Sequence, residues 1–222
     1  MFSKLPYDPA KDVLPLSLAA TSPLVLVQDI ALPPTSLKDF LAWAKAQPDG
    51  VTYGSIGQGT GSHLTMELFA SKAGARMVHV PFQGFPQVTN AILGHQVQTG
   101  FMAPSGALAQ ARAGKLRLLG VSSPQRSALV PDVPTIAEAA GIADFQAELW
   151  IAAFGPASMP PEVARRLGAE INAVLKLPDV RDKLLLQGWQ ALGADADALR
   201  KRIADDTAVW TRVIQQAKVS VE

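Results

Sequence analysis

The groups that could do chemistry lie close together in this sequence: the hydroxyls of Ser55 and Ser62, the imidazoles of His63 and His79, and a run of glycines at 54, 57, 59 and 61. They occupy or follow Val51-Thr52-Tyr53-Gly54-Ser55-Ile56-Gly57-Gln58-Gly59-Thr60-Gly61-Ser62-His63-Leu64, which passes from a β-branched strand pattern through glycines into a helical pattern and so predicts strand, loop, helix. A helix start leaves its first backbone N–H groups unpaired and carries the positive end of the peptide dipoles. Glycines and hydroxyls ahead of it let an anion come close. The chemistry indicated is anion binding by main-chain donors. One helix end contributes only about 0.3–2 kcal/mol, whereas micromolar affinity needs roughly 8, so other walls must contribute. The competing reading is that the glycines only shape a tight turn.

Sharper motifs fail on spacing. A dinucleotide fingerprint needs Gly-x-Gly-x-x-Gly with an acidic residue about 20 positions on, but these glycines run 57, 59, 61 and the matching region holds His79. A P-loop needs Gly-Lys-Ser/Thr, and a hydrolase elbow needs Gly-x-Ser-x-Gly; neither is present around this loop. His63, His79 and His95 lack a metal-ligand spacing, no cofactor motif occurs, and no pair of carboxylates or nucleophile with its base is identifiable, which counts against an enzyme. His63, in the first helical turn, either donates to a ligand carboxylate or packs against the loop and holds it. Ser62 reads as an N-cap compatible with lining the site. Phe82 is either an aromatic wall for a ligand or core, and Ala103-Pro104-Ser105-Gly106 forms a third loop in which Ser105 could cap a helix. The binding set expected is Gly54, Ser55, Gly57, Gly59, Ser62, His63, Phe82 and Ala103, with no metal.

The elements that must position these residues follow from periodicity. Two short strands, 13–20 and 24–28, precede a helix from Ser36, whose hydroxyl and Asp39 are set as a capping box, to near Pro48. Strand 51–55, helix 62–73, strand 76–80, helix 86–93, strand 96–101, helix 105–113 and strand 116–121 then alternate. That βαβ rhythm predicts a mostly parallel, helix-covered sheet. Ligands of such sheets sit at strand carboxyl ends, so the loops after Gly54, Pro81 and Met102 should share one rim. Proline-rich polar segments at 122–126 and 131–135 suggest a crossing between lobes. A strand at 147–154 and helices at 161–176, 179–186 and 195–217 follow, with Trp210 read as core or interlobe packing. The lobes expected are a complete one at 20–123, and a second made of 1–19 and 124–222 with the crossings.

Composition narrows the function classes. The 222 residues are 48% hydrophobic, enough for a real core. Twenty basic against 19 acidic residues leave a net charge of +1 without like-charge runs, so neither nucleic acid nor a membrane surface has an electrostatic footprint. Absence of cysteine excludes disulfides and thiolate chemistry. No transmembrane run and no signal peptide is legible.

Six segments in order give the chain a family resemblance: Leu5-Pro6-Tyr7-Asp8-Pro9 with Asp12, Tyr53-Gly54-Ser55 through Ser62-His63-Leu64, His79-Val80-Pro81 with Gly84, Ala113-Gly114-Lys115-Leu116-Arg117, Pro131-Asp132-Val133-Pro134-Thr135, and Pro178-Asp179-Val180-Arg181. On them the chain resembles the substrate-binding proteins of tripartite tricarboxylate transporters, the Bug family. The resemblance implies an α/β two-lobe, Venus-flytrap receptor of the periplasm that closes on a di- or tricarboxylate, amino acid or aromatic acid and hands it to a membrane permease. It also implies that the Gly54–His63 loop contacts a ligand carboxylate through backbone amides, hydroxyls and water. Phe82-Gln83 replaces the usual Tyr-Lys pair, which makes a less polar ligand plausible. Met102 stands where an acidic residue often follows the strand phenylalanine, which puts selection of an amino group in doubt.

The family's leading first-lobe strand, with its Gly-Gly loop, has no counterpart here. If Met1 is the true start, the protein is cytoplasmic, lobe 1 is incomplete, the expected consequences are a homodimer through that lobe and weakened binding, and a trimmed chain, a misassigned start and a natural truncation are equally compatible with the sequence. The rival readings are the metabolite-sensing effector module of a LysR-type regulator, though no DNA-binding helix pair is present, and an enzyme acting on a small anionic substrate.

Overall fold

The computed structural model describes residues 5–220, so the ends of the predicted second lobe, 1–4 and 221–222, lie outside the described residues. Two compact units divide the chain. One comprises 23–148 and 217–219, the other the residues before 23, 149–216 and the carboxyl terminus.

The larger unit holds β2 (Val25–Asp29), α1 (Leu37–Lys45), β3 (Val51–Ser55), α2 (Gly61–Ala73), β4 (Met77–Pro81), α3 (Phe85–Leu93), β5 (Thr99–Met102), α4 (Pro104–Arg112), β6 (Leu116–Val121) and α5 (Ile136–Ala140). Its five strands lie in the order β4-β3-β5-β2-β6. β3 pairs in parallel with β4 and β5, while β2 is antiparallel to both β5 and β6. Four strands therefore point one way and β2 is inserted against them. The expectation of a mostly parallel sheet holds for the strand directions but not for the pairing, which is mixed. β2 is buried at every position because helices cover both its faces, and its run of Val25, Leu26 and Val27 is what such a strand requires. On one face Val25 and Val27 pack with Val88 and Ile92 of α3 and Ala107 of α4. Elsewhere Phe69 of α2 meets Phe101 edge-on at 6.0 Å and Phe145 at 6.1 Å.

Local chemistry sets the element ends. The Ser36 hydroxyl accepts from Asp39 N–H at 3.1 Å, and Thr135 with Glu138 forms a reciprocal capping box at α5, a helix absent from the sequence reading. The α4 start lies at Ala103, so Ser105 is in the first turn and exposed rather than capping. The unit boundary also differs from 123. Val121 bridges Thr135, Ala147 N–H donates to Ser122 O at 3.0 Å, and the Ser122 hydroxyl donates to Ala147 O. These bonds keep 124–148 with the five-stranded unit.

The smaller unit contains β1 (Val13–Pro23), β7 (Glu148–Pro156), α6 (Pro161–Val174), α7 (Pro178–Leu186), β8 (Gln190–Ala194) and α8 (Ala196–Ala217). β1 is the middle strand, between β7 and β8, and is antiparallel to β8 with an irregularity between Leu18 and Ala20. α6 lies tight against β1. A Cβ on Gly168 would sit 2.9 Å from Leu16 O, and the Ser17 hydroxyl donates to Asn172 Oδ1 at 2.6 Å. β8 was not expected from the sequence, where Gln190-Ala191-Leu192-Gly193-Ala194 offers little β-branched or aromatic content.

Candidate ligand-binding site

Because β3, β4, β5 and β6 share a direction, their carboxyl ends at Ser55, Pro81, Met102 and Val121 lie along one edge of the sheet. Ser55 pairs with Pro81 in register, and Phe82 N–H donates to Ser55 O at 2.9 Å, so the first two loops leave this edge side by side. Gly57 at φ 131 and Gly59 at φ 71 turn the backbone where a side chain would strain it.

The loop is tied internally. Gly57 N–H donates to Ser55 Oγ at 3.1 Å, Ile56 N–H to Ser62 Oγ at 3.1 Å, and Gly59 N–H to His63 Nδ1 at 2.9 Å. Thr60 closes it from the other side, its hydroxyl donating to Gly57 O at 2.7 Å. What these ties leave over is informative. The first-turn N–H groups of Gly61, Ser62 and His63 have no acceptor among the described residues, whereas Leu64 N–H already bonds Thr60 O. Thr60 is the N-cap and supplies no side-chain cap, so the helix end stays open. Ser62 is not the cap expected of it; its hydroxyl fastens the loop at Ile56.

The predicted residues divide by what their side chains do. Ser55 is buried, with its hydroxyl 2.6 Å from His79 Nε2, and the His63 side chain is turned under the loop. Gly54 is a close-packing position, since a Cβ there would meet Val88 at 2.9 Å and Phe82 at 3.3 Å. Phe82 is half-buried against the core and Ala103 is the N-cap of α4 at the same sheet edge. Gly57 and Gly59 shape the loop, and the open first-turn donors of α2 belong to Gly61, Ser62 and His63.

Beneath the loop lies a cluster that the sequence reading did not assemble. His63 and His79 stack with centroids 3.8 Å apart and planes 7° from parallel, and Tyr53 stacks on His79 at 5.0 Å. The Tyr53 hydroxyl donates to Glu67 Oε1 at 2.5 Å, and His63 Nε2 lies 3.8 Å from the same oxygen. Burial, then the hydrogen bond to Glu67, raises the phenol above its ordinary range. Burial lowers His63, and burial followed by the neighbouring His63 brings His79 down to about 4, with Glu67 opposing. Both shifts favour the neutral form of the rings. The signal that could have found this pair is the parallel register, which sets His79 beside Tyr53. No group of three or more potential metal ligands occurs among the described residues.

The sequence as a whole matches the family described as "Tripartite tricarboxylate transporter family receptor" over residues 1–219. The chain belongs to this family. Protein BugT of Bordetella pertussis is 32% identical over 216 residues, covering 97% of this chain and 66% of that protein. The chain spans 65% and 66% of the length of the first two curated relatives it matches, just under two thirds. The solved structure of R. palustris Rpa4515 with adipate superposes with a TM-score of 0.84 at 26% identity, over 99% of this chain and 73% of that one. MatC from Rhodopseudomonas palustris with bound malate gives 0.79 at 27% identity, over 96% and 73%. The fold of this family member is accordingly the α/β two-lobe fold of the periplasmic binding proteins. No helix among its described residues is long and apolar enough to cross a membrane.

Proposed function

We propose that this protein is a periplasmic solute receptor that takes a small dicarboxylate by one carboxylate on the start of α2 and presents it to the membrane permease of a tripartite transporter. The observation that carries the reading is the set of three consecutive N–H groups, on Gly61, Ser62 and His63, without acceptors among the described residues, beside a loop that ties the N–H groups of Ile56, Gly57, Gly59 and Thr60. Each hydrogen bond from such a donor to a charged group is worth about 1.5–3 kcal/mol, so three of them with the helix dipole reach the range of micromolar binding. Adipate and malate in the two family structures have this chemistry. Around the loop ends, Phe82, Gln83 and Met102 offer no anion to hold an ammonium group, which favours dicarboxylates over amino acids.

An enzymatic reading would use Ser55 and His79 as nucleophile and base. It is disfavoured because the Ser55 hydroxyl is buried and engaged with Gly57 on both sides, at 3.1 Å to its N–H and 3.1 Å to its carbonyl. The apolar residues exposed on the three-stranded unit, among them Ile151, Phe154 and Leu186, also support association of two copies. A monomer by sedimentation equilibrium at every concentration up to about 100 μM, well above the affinity of typical stable pairs, sinks that part.

Gly61→Pro tests the site. Gly61 is the first helical position, where proline fits and removes one N–H, and Thr60 before it is already extended. Calorimetric titration with adipate and with malate should show affinity lowered about tenfold or more by Gly61→Pro and little changed by Gly61→Ala. Equal affinities in the two variants would remove the helix start from the site.

A further inference from the structure

We propose that His63, with His79 stacked on it, is a positioning residue that holds the glycine loop only while its ring is neutral, so that protonating it releases the loop at Gly59 and, with it, the carboxylate site. The consequence for binding rests on the receptor reading above; the release of the loop does not.

The argument is one of donors and acceptors. Gly59 N–H points at His63 Nδ1, 2.9 Å away, so that nitrogen must present a lone pair and the ring must carry its proton on Nε2, toward Glu67. A proton added at Nδ1 sets two N–H groups against each other, and Gly59, held at φ 71, loses its tie. His79 meets the other end of the loop. Its Nε2 is 2.6 Å from Ser55 Oγ, the oxygen that also accepts Gly57 N–H. A charged His79 would donate to that oxygen and leave the serine proton to Gly57 O, 3.1 Å away, so this end stays tied and His79 acts on the loop through the ring stacked on it.

The two rings are also coupled to each other. Their centroids are 3.8 Å apart, so a charge on one disfavours a charge on the other. The titratable groups that bear on the pair are Tyr53 from β3, which stacks on His79, and Glu67 from α2. The carboxylate that could compensate an imidazolium already accepts the Tyr53 hydroxyl at 2.5 Å. Ser62 adds no titratable group, yet its hydroxyl holds Ile56 N–H, so the loop ends remain fastened when the middle lets go. The loop therefore opens at Gly59, since Gly57 O keeps the Thr60 hydroxyl, rather than unfolding from its strand.

The experiment reads the loop first and a ligand second. Nitrogen NMR of the wild-type protein at about pH 7 should place the His63 proton on Nε2. On acidification to about pH 4, with the protein still folded, the Gly59 amide should lose about tenfold of its hydrogen-exchange protection after correction for intrinsic rates, the worth of one hydrogen bond. A proton on Nδ1 at neutral pH, a Gly59 amide indifferent to ring titration, or global unfolding before the rings titrate would each overturn the proposal. His63→Asn keeps an acceptor near the Nδ1 position and His79→Gln keeps a polar atom near Nε2, and neither titrates. The double variant should retain Gly59 protection in acid, and loss equal to wild type would overturn the proposal; if it does not fold, the wild-type titration decides alone. In calorimetric titrations with adipate, the ligand's own protonation is common to both proteins. Wild-type affinity should nevertheless fall about tenfold more than that of the double variant over the same pH range, and an equal fall counts against the lock. Absence of adipate binding to either protein at any pH defeats the receptor reading for that ligand, while the Gly59 amide still judges the lock.

Discussion

The two units treat their apolar residues differently. In the five-stranded unit Phe40, Tyr53, Phe69, Phe101 and Ile92 are fully buried and β2 has no exposed position. In the three-stranded unit the buried apolar set is Leu16, Leu18, Ala20, Leu199 and Val213, while Phe154 is 40%, Leu177 48% and Leu186 82% exposed. Between α8 and β7, a cavity of about 640 Å³ lined by Trp150, Phe154 and Trp210 adds to that open surface. The difference suits the five-stranded unit to carry the proposed site. Main-chain donors keep a fixed aim only when the strand and helix that carry them rest on a core that does not yield, and β3 and α2 have that support.

The largest expected effect breaks the contrast at its root. Phe69→Ala, which empties a fully buried aromatic site between Phe101 and Phe145, should cost about 3–5 kcal/mol of stability, whereas Phe154→Ala in the other unit should cost less than about 1 kcal/mol. Chemical denaturation of the two variants measures both, and equal losses would mean the units share one core. Next is Gly120→Ala on β6. Its Cβ would lie 2.8 Å from Ile136 Cδ1, so a loss of about 1–3 kcal/mol is expected in the same measurement.

A third effect depends on pH. Folding lowers both His63 and His79 below the ordinary imidazole value, so their contribution is fully present above about pH 6.5 and drains away as pH falls toward the folded value of about 4 for His79. Denaturation midpoints of wild type and His79→Gln should therefore diverge in size of acid response across that window, the variant falling less. Parallel curves would show that the buried ring is not what acid acts on. The smallest effect has the opposite sign. Gly106 in α4 has open space where a Cβ would go, so Gly106→Ala should raise stability by about 0.5–1 kcal/mol.

Much of the fold was legible locally. Strands at 51–55 and 116–121 and the helices starting near Gly61 and Pro161 follow from β-branched runs, apolar spacing and proline or glycine punctuation, and the structure places them within a residue or two. β8 and α5 were missed because one lacks β-formers and the other is five residues long, too short to show a helical period. The family resemblance was likewise carried by short segments strung along the chain, and the match over residues 1–219 bears it out.

The site was only half legible. Glycines 57, 59 and 61 ahead of a helix announce main-chain donors, because backbone freedom and unpaired N–H groups are local properties of the chain. Which donors remain open, and that Ser62 fastens Ile56 rather than capping, depends on how the loop folds back upon itself. The stacking of His63 on His79 is a longer-range matter still. Local patterning determined a strand, a glycine loop and a helix; the parallel pairing of β3 with β4 and the seating of α2 decided that two imidazoles distant in sequence share one buried space. No periodicity encodes such a meeting, since it arises from the packing of side chains that become neighbours only when the sheet closes.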